Sequence, residues 1–486
     1  LTVGMAKGKN VLGSLPVWIA GSIEQKARIS KLVTSGGYLA FAMTEPLNGS
    51  DLNQTLVSAT RHPSGGFKLI GEKWLINNAT RSECVTVLAR TESGLSLFFV
   101  DKKKAKSFSH TPKIRLMGVK GLDVSGIRFD ATELEASSLV GREGQGLEVS
   151  LKSLMISRIL CVGFSLGPVE TALRLVFEFF EKRRLYGDAV IAIPNVRSRL
   201  AGTFADFHLA DLFTRASFRL PAVLPEQLSL HSAAAKLFVP ELCEEGLRDV
   251  LVTLGARYFL HDDFAHGLMQ KFARDLPLVG VFDGSSQVNL YSIANQIPAM
   301  AGYSAQARVL DREVLKAIFA DGAKAAMPDF AKLKLSARGE NAILATLLSL
   351  DTAAVGPSLA KALAALKECS RRLIATATSR PRGEATNQRL YFSLAEDLIW
   401  IHAGAFAIFD FIANAGRRES MTQVMLDRIL RHLDVEPVAN EDELRHHETV
   451  VFDELARRVR GEISFGLEES ALPGWYGRLT SRGFSK

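Results

Sequence analysis

Residues 146–184 read GLEVSLKSLMISRILCVGFSLGPVETALRLVFEFFEKRR. Apolar residues recur at helical spacing over many turns, with no strand-like alternation. Just upstream the texture differs. GFKLIGEKWLINNA (66–79), ECVTVLARTE (83–92), GLSLFFVDKK (94–103) and VSGIRFDATELEASSLV (124–140) are short, partly alternating runs divided by Gly, Asn, Asp and Ser. Runs of that kind mark an antiparallel barrel or sandwich. The chain therefore turns from strand to helix near residue 146.

Working outward gives four blocks. Residues 1–38 are helical in pattern and read as a remnant of an N-terminal helical domain. Residues 39–145 form the middle β-domain. Residues 146–322 continue as long helices with short joints: one run begins at Pro194, which suits a helix start, and another ends near Gly255. Long helices so joined argue for a bundle. Residues 323–486 add a helical extension. The predicted fold is α+β and mostly α: a partial N-terminal helical domain, a central antiparallel β-barrel, a C-terminal four-helix bundle and the extension. Within the extension, LIWIHAGAFAIFDFIANA (398–415) carries His402, Asp410 and Asn414. It reads as a buried core helix rather than a membrane span.

The formal charge of +7 is spread along the chain, without the Lys/Arg arm of a nucleic-acid binder. Acids and bases balance from about residue 328 onward. The positive excess lies earlier, where an anionic cofactor or substrate is one explanation and an ordinary solvated surface the other. A mean hydropathy of +0.10 argues for large helix–helix interfaces or an oligomer. Cys84, Cys161, Cys243 and Cys369 are far apart and fit neither a zinc pattern nor a disulfide framework. A reducing, cytoplasmic setting is expected. His446 and His447 are neighbours on a helical pattern and point apart, so no metal site is expected.

One stretch, AFAMTEPLNGSDL (40–52), joins a strand-like run to Thr-Glu-Pro and Gly-Ser-Asp. Hydroxyls and backbone N–H groups beside a glycine can hold an anionic or polar ligand edge; a capped turn is the simpler reading. GEKWLINNA (71–79), GREGQGLEVSL (141–151), RRLYG (183–187) and RDLPLVGVFDGSSQVNL (274–290) follow in order. Together these motifs resemble the acyl-CoA dehydrogenase family over about residues 1–320.

The resemblance implies FAD and the α,β-dehydrogenation of an acyl thioester, on CoA or on a carrier protein, to its trans-2-enoyl form. A carboxylate must reach the weakly acidic α-carbon, and donors must meet the developing enolate oxygen. The turn normally reads Tyr-Glu-Gly-Thr-Ser, with Glu as the base; here the matching residue is Asp283. An earlier helix carries the base in some members, and there this chain has Ser157. The implied cofactor residues are Phe41, Met43, Thr44, Gly49, Ser50, Leu75, Asn77, Arg183, Tyr186, Gly255, Ser285 and Gln287. The implied substrate residues are Ser50, Ser157, Arg158 and Gly284. Arg183 and Tyr186 match positions that reach the neighbouring subunit's FAD. Leu75 stands where the family has a flavin-packing Trp. Trp74 is one place earlier and on a regular strand would face the other side. Val252 and Tyr258 replace the usual Gln and Gly of a further FAD-contacting stretch.

The family implies a homodimer or homotetramer, electron transfer to an electron-transfer flavoprotein, and helices ahead of Leu1. Membrane association is a weaker expectation, and no nucleic acid is expected. The alternatives are a non-catalytic or a DNA-associated relative. A bland reading of Asp283 is that it caps the helix after it.

Overall fold

The computed structural model describes residues 2–63, 65–261, 264–303, 308–379 and 388–472. The chain divides into two compact units, Leu1–Cys161 and Val162–Lys486.

In the first unit, α1 (Thr2–Ala20) and α2 (Ile23–Thr34) precede an eight-stranded sheet. Its strands are β1 (Leu39–Ala42), β2 (Ser58–Arg61), β3 (Phe67–Asn77), β4 (Cys84–Thr91), β5 (Gly94–Asp101), β6 (Phe108–His110), β7 (Val124–Leu134) and β8 (Leu139–Val140). α3 (Gly146–Val162) follows. The strand order is β6-β7-β3-β2-β4-β5-β8, with β1 also paired to β4.

The expected antiparallel barrel is corrected here. The two ends of the path, β6 and β8, do not pair, so the sheet is open. Inside the sheet, two strands share one edge of β4. β1 occupies it in parallel over Cys84–Val87, and β2 then meets it at the single pair Ser58↔Arg90, also parallel. The gap itself lies between β6 and β8, strands of three and two residues, too short to offer each other a closing ladder.

β4 and β5 read as nearly continuous apolar runs because both their faces are covered. Val85, Val87 and Ala89 pack into one core with Phe67, Phe98, Ile127 and Phe129. The alternate residues Cys84 and Leu88 pack into a second core with Val17 of α1, Ile29 of α2 and Val149 of α3. The helices thus seal one face of the sheet. α2 starts with a capping box, Ser22 and Gln25 bonding each other's backbone N–H.

The second unit is helical. α4 (Leu166–Lys182), α5 (Pro194–Val223) and α6 (Leu228–Leu254) pack pairwise, and after α7 (Leu268–Asp275) the short α8 (Ser286–Ala294) packs on α6. α9 (Ile297–Tyr303), α10 (Arg312–Phe319), α11 (Ala342–Ser349), α12 (Gly356–Thr378), α13 (Gln388–Ala413), α14 (Glu419–His432) and α15 (Glu441–Arg460) complete it. Pro194 is the first residue of α5, as its fixed φ suggests.

α5 is buried almost continuously from Leu200 to Pro221. A helix covered on every side shows little amphipathic pattern, and the contacts explain the cover: α10, α13, α14 and α15 all pack on it. The extension is therefore part of this unit's core. Asp206 of α5 makes a two-pronged ion pair with Arg428 of α14. Backbone N–H groups of Phe465 and Leu467 donate to Glu170 of α4 and Asp211 of α5.

By length and composition alone, Gly146–Lys182 and Gln388–Ala413 could each cross a membrane. In α13, 72% of the apolar window is buried within protein, and its deeply buried His402 and Asp410 are both paired. His402 bonds Asn341 at 2.9 Å, and Asp410 meets Arg418 and Asn414. His447 bonds Ser420, and among the described residues no cluster of three or more metal-ligating side chains occurs. The part of the predicted extension beyond residue 472 lies outside the described residues.

Candidate functional site

In the first unit, β1 runs into the Thr44-Glu45-Pro46 turn. Phe41 is buried, Met43 and Thr44 are half-buried, and Gly49 and Ser50 are exposed. What fixes this segment is a pair the motif reading passed over. Glu45 is 3% exposed and Lys73, on β3, is fully buried; they meet at 2.8 Å. The carboxylate also accepts from the N–H groups of Leu56 (2.7 Å) and Val57 (3.0 Å). The ammonium also donates to the carbonyl of Met43 at 2.7 Å. The pair is well satisfied, the condition under which a buried ion pair is tolerated. Burial pulls Lys73 down to about 8, against the opposing pull of Glu45. Burial alone would raise Glu45, but the bonds from Lys73, Leu56 and Val57 hold it below its ordinary value. Trp74 N–H donates to Thr44 O at 2.9 Å. The two motif segments, 43–45 and 73–77, are thereby one body.

Alternation along β3 fails where the reading of Trp74 and Leu75 relied on it. Lys73 faces Ile127 and Ile76 faces Ser125, so β3 carries one extra residue there. That β-bulge re-aims side chains. Leu75 has φ of 56° and is 42% exposed, while Trp74 is half-buried. Two residues on, both amide atoms of Asn77 are buried and make no hydrogen bond to protein. On α3, Ser157 and Arg158 are buried, and the Ser157 hydroxyl donates to Leu154 O within its own helix.

The second unit holds two further clusters. The first is a hairpin after α4, built from Arg184–Leu185 and Asp188–Ala189. Its central residues, Tyr186 (φ 55°) and Gly187 (φ 91°), both take the left-handed conformation that a two-residue turn of this twist requires. Tyr186 is 98% exposed. The Arg183 guanidinium lies 5.7 Å from the Phe179 ring centre and that of Arg257 5.5 Å from the same ring. Arg257 follows Gly255, which ends α6 at φ 77°. Val252 is exposed and Tyr258 packs against Phe259.

The second cluster is the turn before α8. Asp283 (φ 55°) and Gly284 (φ 96°) are consecutive left-handed residues. Asp and Gly tolerate that region better than most residues. The cap of α8 is Ser285, whose hydroxyl accepts from Val288 N–H, so the capping reading of Asp283 is displaced. Asn289 donates to the carbonyls of Gly284 (2.9 Å) and Ser285 (3.0 Å). Asp283 is half-buried and Gln287 is exposed. Ser286 bonds Glu241 of α6, whose carboxyl is raised by burial in spite of that bond. Beneath the turn sits Lys236 of α6, fully buried, donating to the carbonyls of Val279 and Gly284. Lys236 and Gly255 are separated along α6 by about 28 Å at 1.5 Å per residue, so the hairpin end and the Asp283 turn belong to different places on the unit.

Comparison with known proteins gives these segments a common setting. Residues 40–132 match the model for the acyl-CoA dehydrogenase middle domain, and residues 144–297 that for the acyl-CoA dehydrogenase C-terminal domain. An acyl-CoA dehydrogenase of Bacillus subtilis is 25% identical over 300 residues, covering 59% of this chain and 75% of that protein. A probable acyl-CoA dehydrogenase of Mycobacterium tuberculosis is 26% identical over 294 residues, covering 58% of this chain and 45% of that protein. The crystal structure of an acyl-CoA dehydrogenase complexed with FAD from Bacillus anthracis superposes with a TM-score of 0.71 at 17% identity, over 99% of this chain and 82% of that one. At that identity the likeness is one of fold, and it extends through the helices after residue 322. The two matched models take in the motif segments described above, all but residues 141–143, in their order along the chain, and on that ground the chain belongs to the acyl-CoA dehydrogenase family, oxidoreductases that act on CH–CH groups.

Proposed function

We propose that the protein is an FAD-dependent acyl thioester dehydrogenase that forms the trans-2-enoyl thioester, with Asp283 as the base that takes the α-proton. The observation that carries this reading is the Asp283 turn. It presents a carboxylate on a strained, clamped loop, and the neighbouring helix is capped by a different residue. When bound, FAD supplies the acceptor for the β-hydrogen. Asn77 supports its fit, because a buried amide without a protein partner suits a polar ligand edge. Trp74, next to Leu75, donates to Thr44 O at 2.9 Å and ties that segment to Thr44.

Asp283 accepts the α-proton, and its backbone N–H donates to the thioester oxygen as charge develops there. Gly284 leaves room for the thioester beside the backbone. Arg183 is suited to a pyrophosphate by its planar fork of donors, and with exposed Tyr186 it serves the cofactor of a second subunit in a homodimer or homotetramer. The acyl carrier is CoA or a carrier protein, and an electron-transfer flavoprotein reoxidises the enzyme.

Anaerobic addition of acyl-CoA thioesters to the FAD-loaded protein tests this. Bleaching of the flavin absorbance supports the reading; an unchanged spectrum across straight, branched and aryl acyl groups sinks it. A non-catalytic relative is the second reading, favoured by the exposed Leu75 at the flavin-packing position. It predicts a colourless protein that takes up no FAD.

A further inference from the structure

Lys236 is the only charged residue of α6 between Leu228 and Pro240. Its side chain is fully buried. An ammonium has three donors and loses all its water on burial, so it persists only where acceptors are placed for it. Its charge is felt by Glu244 on the same helix, and two of its acceptors flank Asp283. Lys236 donates to Val279 O, four residues before it, and to Gly284 O at 3.3 Å, immediately after it. The ammonium also lies 5.3 Å from the ring centre of Phe282, immediately before it. Gly284 O takes a second bond from Asn289. Asp283 is a non-glycine residue at a φ of 55°, a conformation that surrounding structure helps to hold, and this ammonium grips both ends of the segment that contains it.

We propose that Lys236 is the positioning residue of the Asp283 turn: it acts through the Val279 and Gly284 carbonyls to fix the direction of the Asp283 carboxylate and of its backbone N–H. The proposal rests on Asp283 being the α-proton base. It adds a residue of α6 that touches neither the acyl chain nor the flavin, and makes it a determinant of turnover. A misplacement on the order of 1 Å between base and α-carbon costs about a hundredfold in rate. Loss of the clamp should therefore appear in kcat rather than in KM.

Lys236→Met keeps the length of the stem and removes the donors. The FAD-loaded variant is compared with wild type using the straight-chain acyl-CoA that bleaches wild type fastest, and its crystal structure is solved. The expected result is a kcat lower by about 10- to 100-fold, KM within about twofold, unchanged FAD content, and a displaced 281–285 turn. Lys236→Ala supplies an independent arm. Ethylamine added to that variant should restore part of kcat by placing an ammonium in the space left by the side chain. Wild-type kcat in Lys236→Met, or an unmoved turn, overturns the proposal. So does a loss matched by loss of FAD or by a rise in KM, which marks a general structural role. Should Lys236→Met fail to fold, amine rescue of kcat in Lys236→Ala supports the proposal and its absence refutes it. If wild type itself bleaches with no thioester, the base assignment fails, and the displaced or undisplaced turn still decides whether Lys236 holds it.

Discussion

Replacing Lys73 by Met would strip the counterion from Glu45, a carboxylate only 3% exposed, while leaving the two N–H bonds from Leu56 and Val57 in place. Breaking a buried pair by removing one partner costs about 3–5 kcal/mol. The carboxyl can limit that cost by taking up a proton, at about 1.4 kcal/mol for each pH unit above its ordinary value near 4.3. At pH 7 this escape costs about 3.7 kcal/mol, so the expected destabilisation is about 3–4 kcal/mol. The sign of its pH dependence follows. In the variant, Glu45 is protonated when folded and ionised when unfolded, so unfolding releases a proton. The deficit against wild type then shrinks by about 1.4 kcal/mol per unit as pH falls from 7 toward 5.

The damage is local to the first unit, and hydrogen exchange read on peptides covering residues 54–76 is a suitable assay. The amides of Leu56, Val57 and Trp74 should lose roughly 100-fold or more of their protection at pH 7, and FAD affinity should fall with them. Glu45→Gln placed on top of Lys73→Met should recover part of the loss. Unchanged protection, or a deficit that grows as pH falls, would refute the reasoning about this pair.

Acid should weaken the second unit through its buried imidazoles. Burial alone brings His231 down to about 4; burial first, with the nearby Arg458, Arg418 and Arg215 second, holds His208 well below its ordinary value, and burial first, with neighbouring His231 second, does the same to His402. Folded pKa values below unfolded ones mean stability that is full above about 6.5 and lost as pH falls, with roughly 3 kcal/mol from His231 alone by pH 4. Asp410, raised by burial to about 6, works the other way over the same range. A thermal midpoint that stays level or rises from pH 7 to pH 5 would contradict this balance, and His231→Gln should flatten the decline. Arg183→Ala should weaken FAD binding at least tenfold while leaving the melting temperature within a degree or two, because its side chain is only half-buried beside Phe179; equal FAD affinity in the two proteins would remove Arg183 from the cofactor site.

The change from strand to helix near residue 146 was plain in the sequence because periods of 2 and 3.6 differ so sharply. Pro194 and Gly255 marked helix ends for equally local reasons. Closure of the sheet was not legible, since it depends on whether β6 and β8 meet, and strands of three and two residues carry too little pattern to set a register. The bulge at Trp74 and Leu75 was hidden likewise: no Gly or Pro announces it, and the extra residue is visible only against β7.

The site divided along the same line. The Asp283 turn stood out as a lone acid among Gly and Ser. Lys73 and Lys236 did not, because a lysine in an apolar run reads as an interruption of the core rather than its contents. One signal was available for Lys236. HSAAAKLFVP has small or apolar residues on every side of it, and the face that would put Lys236 in water would expose Ala233, Val239 and Pro240, which lie three or four residues away.

The central claim is that Asp283 removes the α-proton, and Asp283→Asn tests it most directly. Asn tolerates the left-handed φ of 55° at least as well as Asp and nearly matches it in shape, so the turn should survive and only the charge is lost. Wild type and variant, both loaded with FAD, are mixed anaerobically with the same acyl-CoA in a stopped-flow spectrometer. The account predicts the same flavin spectrum before mixing and the same thioester affinity, with the rate of flavin bleaching lower by at least about 10³-fold in the variant. Bleaching at the wild-type rate would mean that the base lies elsewhere.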